Sequence, residues 1–265
     1  DALIEKKQRL IELLKEERQA LINELVTGKK VWNGHEWVKP AKVKDSGIEW
    51  LGEIPEGWQV KKLKYLGKSI GGVTYSPNDI VEKDSPNSTL ILRSSNIQNG
   101  SLSLKDTVFV NTSIKNSQVL QCGDILLCSR NGSRNLIGKN ITIDERVSGQ
   151  SFGAFMMVFR SKNWEFLSCF FNSQVFQSQS GLFLTSTINQ LTAGILNNMY
   201  LAIPISEIET SVIAKYISSK GKEIDLLVRK QQKEIQLLRE FKTALIHEVV
   251  TGKVDVRDEV IPDNY

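Results

Sequence analysis

The chain has 265 residues, of which 40% are hydrophobic and 24% charged, the composition of a soluble globular protein with room for one large domain or two small ones. It contains no run of roughly 18 to 20 apolar residues that would cross a membrane, and Asp1 to Arg9 is charged rather than signal-like. Cys122, Cys128 and Cys169 have no metal-like spacing to His35 or His247, so the expectation is a cytoplasmic protein with no metal, disulfide or membrane association.

The first element, residues 1–28, is one copy of a repeat. Asp1 to Lys29 aligns without a gap on Asp225 to Lys253, 224 residues later, and sixteen of the twenty-nine positions are identical. Leu3, Leu10, Leu14, Leu21 and Leu25 follow the roughly 3.5-residue spacing of a helical seam, widened by Ile4, Ile11 and Ile22. Each copy stops at Thr-Gly-Lys, where Gly28 and Gly252 suit the left-handed residue that closes a helix. Residues 29–45 follow as a small hairpin and linker, with Asn33-Gly34 as the turn and Pro40 beyond it. Opening on Asp1 rather than an initiator Met, the chain reads as a trimmed or excerpted piece, or as one whose numbering omits disordered residues.

Residues 46–205 form a different kind of sequence. Short β-rich runs (Leu90 to Leu92, Val108 to Val110, Asp124 to Cys128, Asn140 to Ile143, Ala154 to Phe159) alternate with Ser, Asn and Gly, and one helix is expected over Trp164 to Gln179. Trp50 and Trp58 are expected in the core. The net charge of +4 is uneven. Gln59 to Arg160 holds thirteen Lys and Arg against seven Asp and Glu, a net +6 compatible with a polyanion.

Within that segment Arg130, Asn131, Ser133, Arg134 and Asn135 gather around Gly132. A duplex reader needs forked guanidinium or amide groups for base edges and simple cations for phosphates. Thr74, Tyr75 and Asn78 form a second candidate loop and Arg93, Ser94 and Asn96 a third, while Lys61, Lys62 and Lys64 suit phosphates. The bland alternatives are a solvated turn and an exposed strand face.

The last long element spans 206–253. Ser206-Glu207-Ile208-Glu209 after Pro204 is a capping box, and Ile208, Val212, Ile213, Tyr216 and Ile217 continue one apolar face. Gly221 is the one point where a break costs little. Beyond it the seam is Leu227, Leu238, Leu245 and Val249, with Phe241 added and Gln231 and Glu234 as polar interruptions that set register. Residues 254–265 are a tail.

Catalytic patterns are missing. Asn197-Asn198-Met199-Tyr200 only superficially resembles an adenine methyltransferase strand end, because the prolines that present the catalytic amide are not there. Gly67-Lys68-Ser69 lacks the earlier glycine of a phosphate-binding loop, since Lys62 stands in its place. No nucleophile elbow occurs. The expectation is a non-enzymatic chain with no cofactor.

Ser46 to Trp58 (SGIEWLGEIPEGW) followed by Lys62-Leu63-Lys64 resembles the opening of a target-recognition domain in the specificity subunits of type I restriction-modification systems. Gly71 to Thr74, Leu92 to Ile97, Gly123 to Leu127 and Leu191 to Pro204 resemble its successive landmarks, and Leu238 to Lys253 its closing conserved helix. The chain departs from the family at Glu209-Thr210, where Glu-Gln is usual, and around Thr74-Tyr75, where a Pro is missing. The resemblance implies an α+β protein of half-length: one mixed α/β target-recognition domain with short strands, and two long helices forming an antiparallel coiled-coil spacer. It further implies recognition of one half of a bipartite double-stranded DNA target and docking, through the helices, of methyltransferase subunits and a restriction/translocase subunit. A homodimer follows if half-length is the natural state. The alternative is a coiled-coil scaffold whose central domain binds another protein.

Overall fold

The computed structural model describes residues 1–98, 100–183 and 190–257, so the end of the expected tail lies outside the described residues. The chain divides into two compact units, Gln19–Ile217 and a second made of Asp1–Arg18 with Ser218–Tyr265. The α-helices among the described residues are α1 (Ala2–Val26), α2 (Trp164–Phe171), α3 (Gln174–Phe183), α4 (Ala193–Asn198) and α5 (Glu207–Val250).

The unit Gln19–Ile217 is built on two four-stranded sheets. One is antiparallel throughout, in the order Asn140–Thr142, Ile125–Cys128, Met156–Arg160, Lys68–Gly71. The other runs Ser151–Phe152, Thr89–Leu92, Val108–Val110, Ile80–Val81, with its first pair parallel. Alternation of side chains along a strand explains why ILLC at 125–128 is apolar without interruption. Leu126 and Cys128 join Leu92, Phe152 and Val158 in one core, whereas Ile125 and Leu127 face Phe159, Phe166, Phe170, Phe171 and Phe176 in another. The last four of these phenylalanines belong to α2 and α3; Phe170, Phe171 and Phe176 pack mutually with ring centroids 4.9–5.9 Å apart. Burying each such ring stabilises the fold by about 1.5–3 kcal/mol.

The helix expected over Trp164 to Gln179 is two helices. Asn172 and Ser173 compete for the backbone and end the first, and the Ser173 hydroxyl then accepts the Phe176 amide at 3.3 Å, capping the second. The Gln174 amide is satisfied from a distance by Asn23 Oδ1 of α1 at 2.8 Å, a partner no local pattern announces. Trp58 is in the core as expected, its indole N–H donating to Glu209 at 2.9 Å, but Trp50 is 48% exposed. Glu209 is thereby diverted from the capping box. Only the Ser206 half forms, with its hydroxyl accepting the Glu209 amide at 3.3 Å. Gly28 closes α1 at φ +73°, where a side chain would also collide with Pro55. Gly252 repeats that conformation at φ +71°.

In the other unit, two helical segments run antiparallel, because partners descend in number along one as they ascend along the other. Asp1 pairs with Lys242 at 2.6 Å, Lys7 meets Gln231 and Glu234, and Arg18 pairs with Asp225 at 2.7 Å. Asp1 and Asp225 are equivalent in the repeat, as are Arg18 and Lys242, so the two end pairs are one interaction written twice about a pseudo-two-fold axis. The buried stripe is Ile4, Lys7, Ile11 and Leu14 against Gly221, Ile224, Val228, Gln231, Ile235 and Leu238, alternating three and four residues apart. Leu14 and Leu238 lie half-buried on that stripe, while Leu3, Leu10, Leu227 and Leu245 face outward and Leu21 packs on the core of the larger unit. Adjacent Leu and Ile stripes have the same period, and the interior took the β-branched one. The anticipated weak point at Gly221 is unbroken helix, where Arg18 lies over the open glycine surface.

Candidate nucleic-acid interface

Three loops of the larger unit meet at one turn, Gly153 to Phe155, between the strands Ser151–Phe152 and Met156–Arg160. Ser129 and Arg130 both donate their amides to the Phe155 carbonyl, at 2.9 and 3.1 Å. The Arg130 guanidinium lies 5.3 Å from the centroid of the Phe155 ring. Asn131 donates from its amide to the Ser94 hydroxyl at 3.2 Å, joining the 130–135 loop to the Arg93 loop. Val73 bridges Gly153 and donates to the Phe152 carbonyl at 2.8 Å, which sets Thr74 and Tyr75 beside the same turn. Gly72 lies so close to the Gly153 backbone that any side chain would collide with it.

The expected residues differ in how free they are. Arg130, Thr74, Asn78, Ser133 and Asn135 are exposed. Asn78 sits on a tight turn held by Ser76, whose amide and hydroxyl both donate to Asp79 at 2.6 and 2.9 Å. Arg134 is exposed but its guanidinium donates to the Gly181 carbonyl at 2.9 Å, beside a cavity of about 520 Å³ also lined by Asn135, Lys139 and Gln177. Arg93 is paired with Asp106 at 2.8 Å. Asn96 is fully buried, accepting the Arg93 amide and donating to the Ser103 and Asp106 carbonyls, so it braces its loop from inside.

The lysines lie elsewhere in the unit, at the strand Trp58–Lys62, which pairs with Tyr200–Pro204. Lys62 stands 5.0 Å over the Tyr200 ring and 3.3 Å from Asn198, and Lys64 stands 5.0 Å over Tyr65. No hydrogen bond or ion pair among the described residues joins Lys61, Lys62 or Lys64 to the three loops.

Behind the rim the frame is tied by a buried ion pair. Asp124, nearly fully buried, takes two hydrogen bonds of 2.7 Å from Arg160, which also donates to the Val119 carbonyl. Donating those hydrogen bonds to the Asp124 carboxylate raises the Arg160 pKa above its usual value. Burial likewise pushes the Cys128 thiol up, so it stays protonated at neutral pH.

Phe155 is not among the residues the sequence singles out, because the apolar run from Ala154 reads as strand; the strand begins at Met156 and leaves Phe155 in the turn, 59% exposed. The available signal was Gly153, which interrupts the apolar alternation.

The two-sheet core thus carries a rim of hydroxyl, amide and guanidinium groups. The model of the type I restriction modification DNA specificity domain matches residues 55–237, which takes in all three loops. The chain therefore belongs to the type I restriction-modification DNA specificity family. Among its relatives are the type I restriction enzyme StySPI specificity subunit of Salmonella potsdam and the EcoKI specificity subunit of Escherichia coli K12. Each is 27% identical, over 76% and 77% of this chain and 44% of the relative. The MjaVIII specificity subunit of Methanocaldococcus jannaschii is 26% identical over 97% of this chain and 58% of its own. The chain thus spans about half the length of the curated relatives it matches. Solved structures share the fold: one described as showing complex assembly and conformational transition of the type I R-M system has a TM-score of 0.60 at 16% identity, covering 93% of this chain and 56% of that one. The HsdS subunit of Thermoanaerobacter tengcongensis has a TM-score of 0.56 at 14% identity, covering 96% and 56%.

Proposed function

We propose that the chain is the DNA-reading part of a type I restriction-modification complex, that it reads one half of a bipartite double-stranded target with the rim around Gly153 to Phe155, and that it performs no chemistry itself. The observation that carries this reading is that the family match, residues 55–237, contains every one of the loops that converge on that turn. Forked donors on stiff strands suit base edges, and point-charge lysines suit phosphates. The paired helical segments act as an antiparallel coiled-coil spacer. Their outward Leu3, Leu10, Leu227, Phe241 and Leu245 dock methyltransferase subunits and, in the full assembly, a restriction/translocase subunit. Repeat symmetry makes the two flanks of that spacer alike, which suits two copies of one partner. At this length a homodimer would present two reading rims. The site of action is the cytoplasm; among the described residues no helix is long and apolar enough to cross a membrane.

Methylome sequencing of cells carrying this gene with its methyltransferase partner tests the reading. A split methylated motif is expected, and a genome without one would overturn it.

A further inference from the structure

Five arginines lie between Gln59 and Arg160, and four of their guanidinium groups are already spoken for. Arg93 is bound to Asp106, Arg134 to the Gly181 carbonyl, Arg146 to Asp144 and Arg160 to Asp124. Of these five, Arg130 alone has no hydrogen-bond acceptor for its guanidinium among the described residues; its neighbour is the ring of Phe155, 5.3 Å away. A guanidinium over an aromatic ring is held by its face, which leaves the N–H donors at its edge pointing outward. The backbone reinforces the placement, because the amides of Ser129 and Arg130 both end on the Phe155 carbonyl. One residue thus fixes both the root and the head of the arginine side chain. Phe155 has little to do in the core, being 59% exposed. Leaving an aromatic ring in water forgoes burial, and here the exposed ring lies beside the arginine of those five whose guanidinium has no acceptor among the described residues.

We propose that Phe155 is a specificity-determining residue that positions Arg130 for bidentate reading of a guanine in the major groove. The proposal rests on the DNA-reading function above and adds the base and the residue that aims at it. Guanine is the base whose O6 and N7 acceptors match the paired donors of one guanidinium edge. A freely rotating arginine would lose rotamer entropy on docking, and one already stacked loses less.

The test is selection of binding sites from a random duplex DNA pool by the chain assembled with its methyltransferase subunits. Wild type, Phe155→Ala, Phe155→Tyr, Arg130→Ala and the double variant are compared. Expected are a wild-type motif with an invariant guanine at one position, and loss of that single preference, by about tenfold or more, in both Arg130→Ala and Phe155→Ala while the rest of the motif stands. Phe155→Tyr, which keeps the ring, should retain the guanine, and the double variant should be no worse there than Arg130→Ala alone. A merely structural role for Phe155 would weaken all positions alike and would overturn the proposal, as would a guanine lost on Arg130→Ala but kept on Phe155→Ala, or no position relaxed by either. Wild type selecting no motif at all would bring down the DNA-reading function with it, so the two failures are distinguishable.

Discussion

Arg130 and the lysines near the strand Trp58–Lys62 are all cations, but a planar fork and a point charge do different work on DNA. Arg130→Ala should cost about 1–3 kcal/mol on the cognate duplex and much less on random duplex. Lys61→Ala or Lys64→Ala should weaken both duplexes alike and lower the slope of affinity against salt by about one unit. Titration of the assembled complex with the two duplexes at several salt concentrations distinguishes them, and equal losses from Arg130→Ala on both would make its loop a solvated turn. Composition placed the candidate loops but could not rank their members, because rank depends on distant acceptors. Arg93 is occupied by Asp106 and Arg134 by Gly181, and Asn96 is turned inward onto Ser103 and Asp106. A second expectation at this scale concerns the frame. Asp124→Asn leaves the Arg160 charge without its carboxylate inside the sheet, and since Arg160 keeps some solvent contact the loss should fall at the low end of the roughly 3–5 kcal/mol of a broken buried pair. Denaturant unfolding measures it; an unchanged midpoint would mean the pair contributes nothing net.

Among the elements, those with strong local signatures came out where the sequence put them. Val108–Val110 is a strand at the expected residues, the hairpin around Asn33-Gly34 forms between Val31–Trp32 and Trp37–Val38, and both Thr-Gly-Lys helix ends carry a left-handed glycine. Where the outcome differed, the break at Asn172-Ser173 came from side chains competing locally for the backbone, and the choice between neighbouring Leu and Ile stripes from contacts across the fold. The seam that resulted makes Ile11→Asp or Ile235→Asp severe, at roughly several kcal/mol for a buried unpaired charge, whereas Leu3→Asp or Leu245→Asp should leave the isolated chain's thermal unfolding nearly unchanged. Equal effects from the two sets would contradict the observed seam. Acid should loosen the same helix pair. The hydrogen bond from Lys7 holds the Glu234 carboxyl below its ordinary range, so its stabilising contribution is present above the unfolded-state value and is lost as pH falls through the lowered folded-state value. Glu234→Gln should therefore remove part of the pH dependence of unfolding below the ordinary glutamate range. If the variant and the parent lose stability in parallel there, the Lys7 pair does not contribute.

At the scale of the whole molecule, the question is whether a chain that belongs to a DNA specificity family also does chemistry alone. The one stretch resembling a methyltransferase signature is Asn197-Asn198-Met199-Tyr200, and its side chains are already in use. Asn197 accepts the Ser69 hydroxyl at 2.7 Å, Asn198 accepts from Lys62 and donates to the Gly194 carbonyl at 2.9 Å, and Met199 is buried. A catalytic amide has to be presented to a flipped base with its oxygen free, and these two are fastened into the junction of α4 with the neighbouring strands. The purified chain is therefore expected neither to bind S-adenosylmethionine in calorimetry nor to transfer methyl groups to duplex DNA, and adding its methyltransferase subunit should restore both. Heat of cofactor binding with the chain alone, or labelled methyl transfer without the second subunit, would overturn the expectation. Asn197→Ala and Asn198→Ala should then lower the unfolding midpoint of the chain while leaving the turnover of the assembled complex per folded molecule unchanged, since their amides serve the fold.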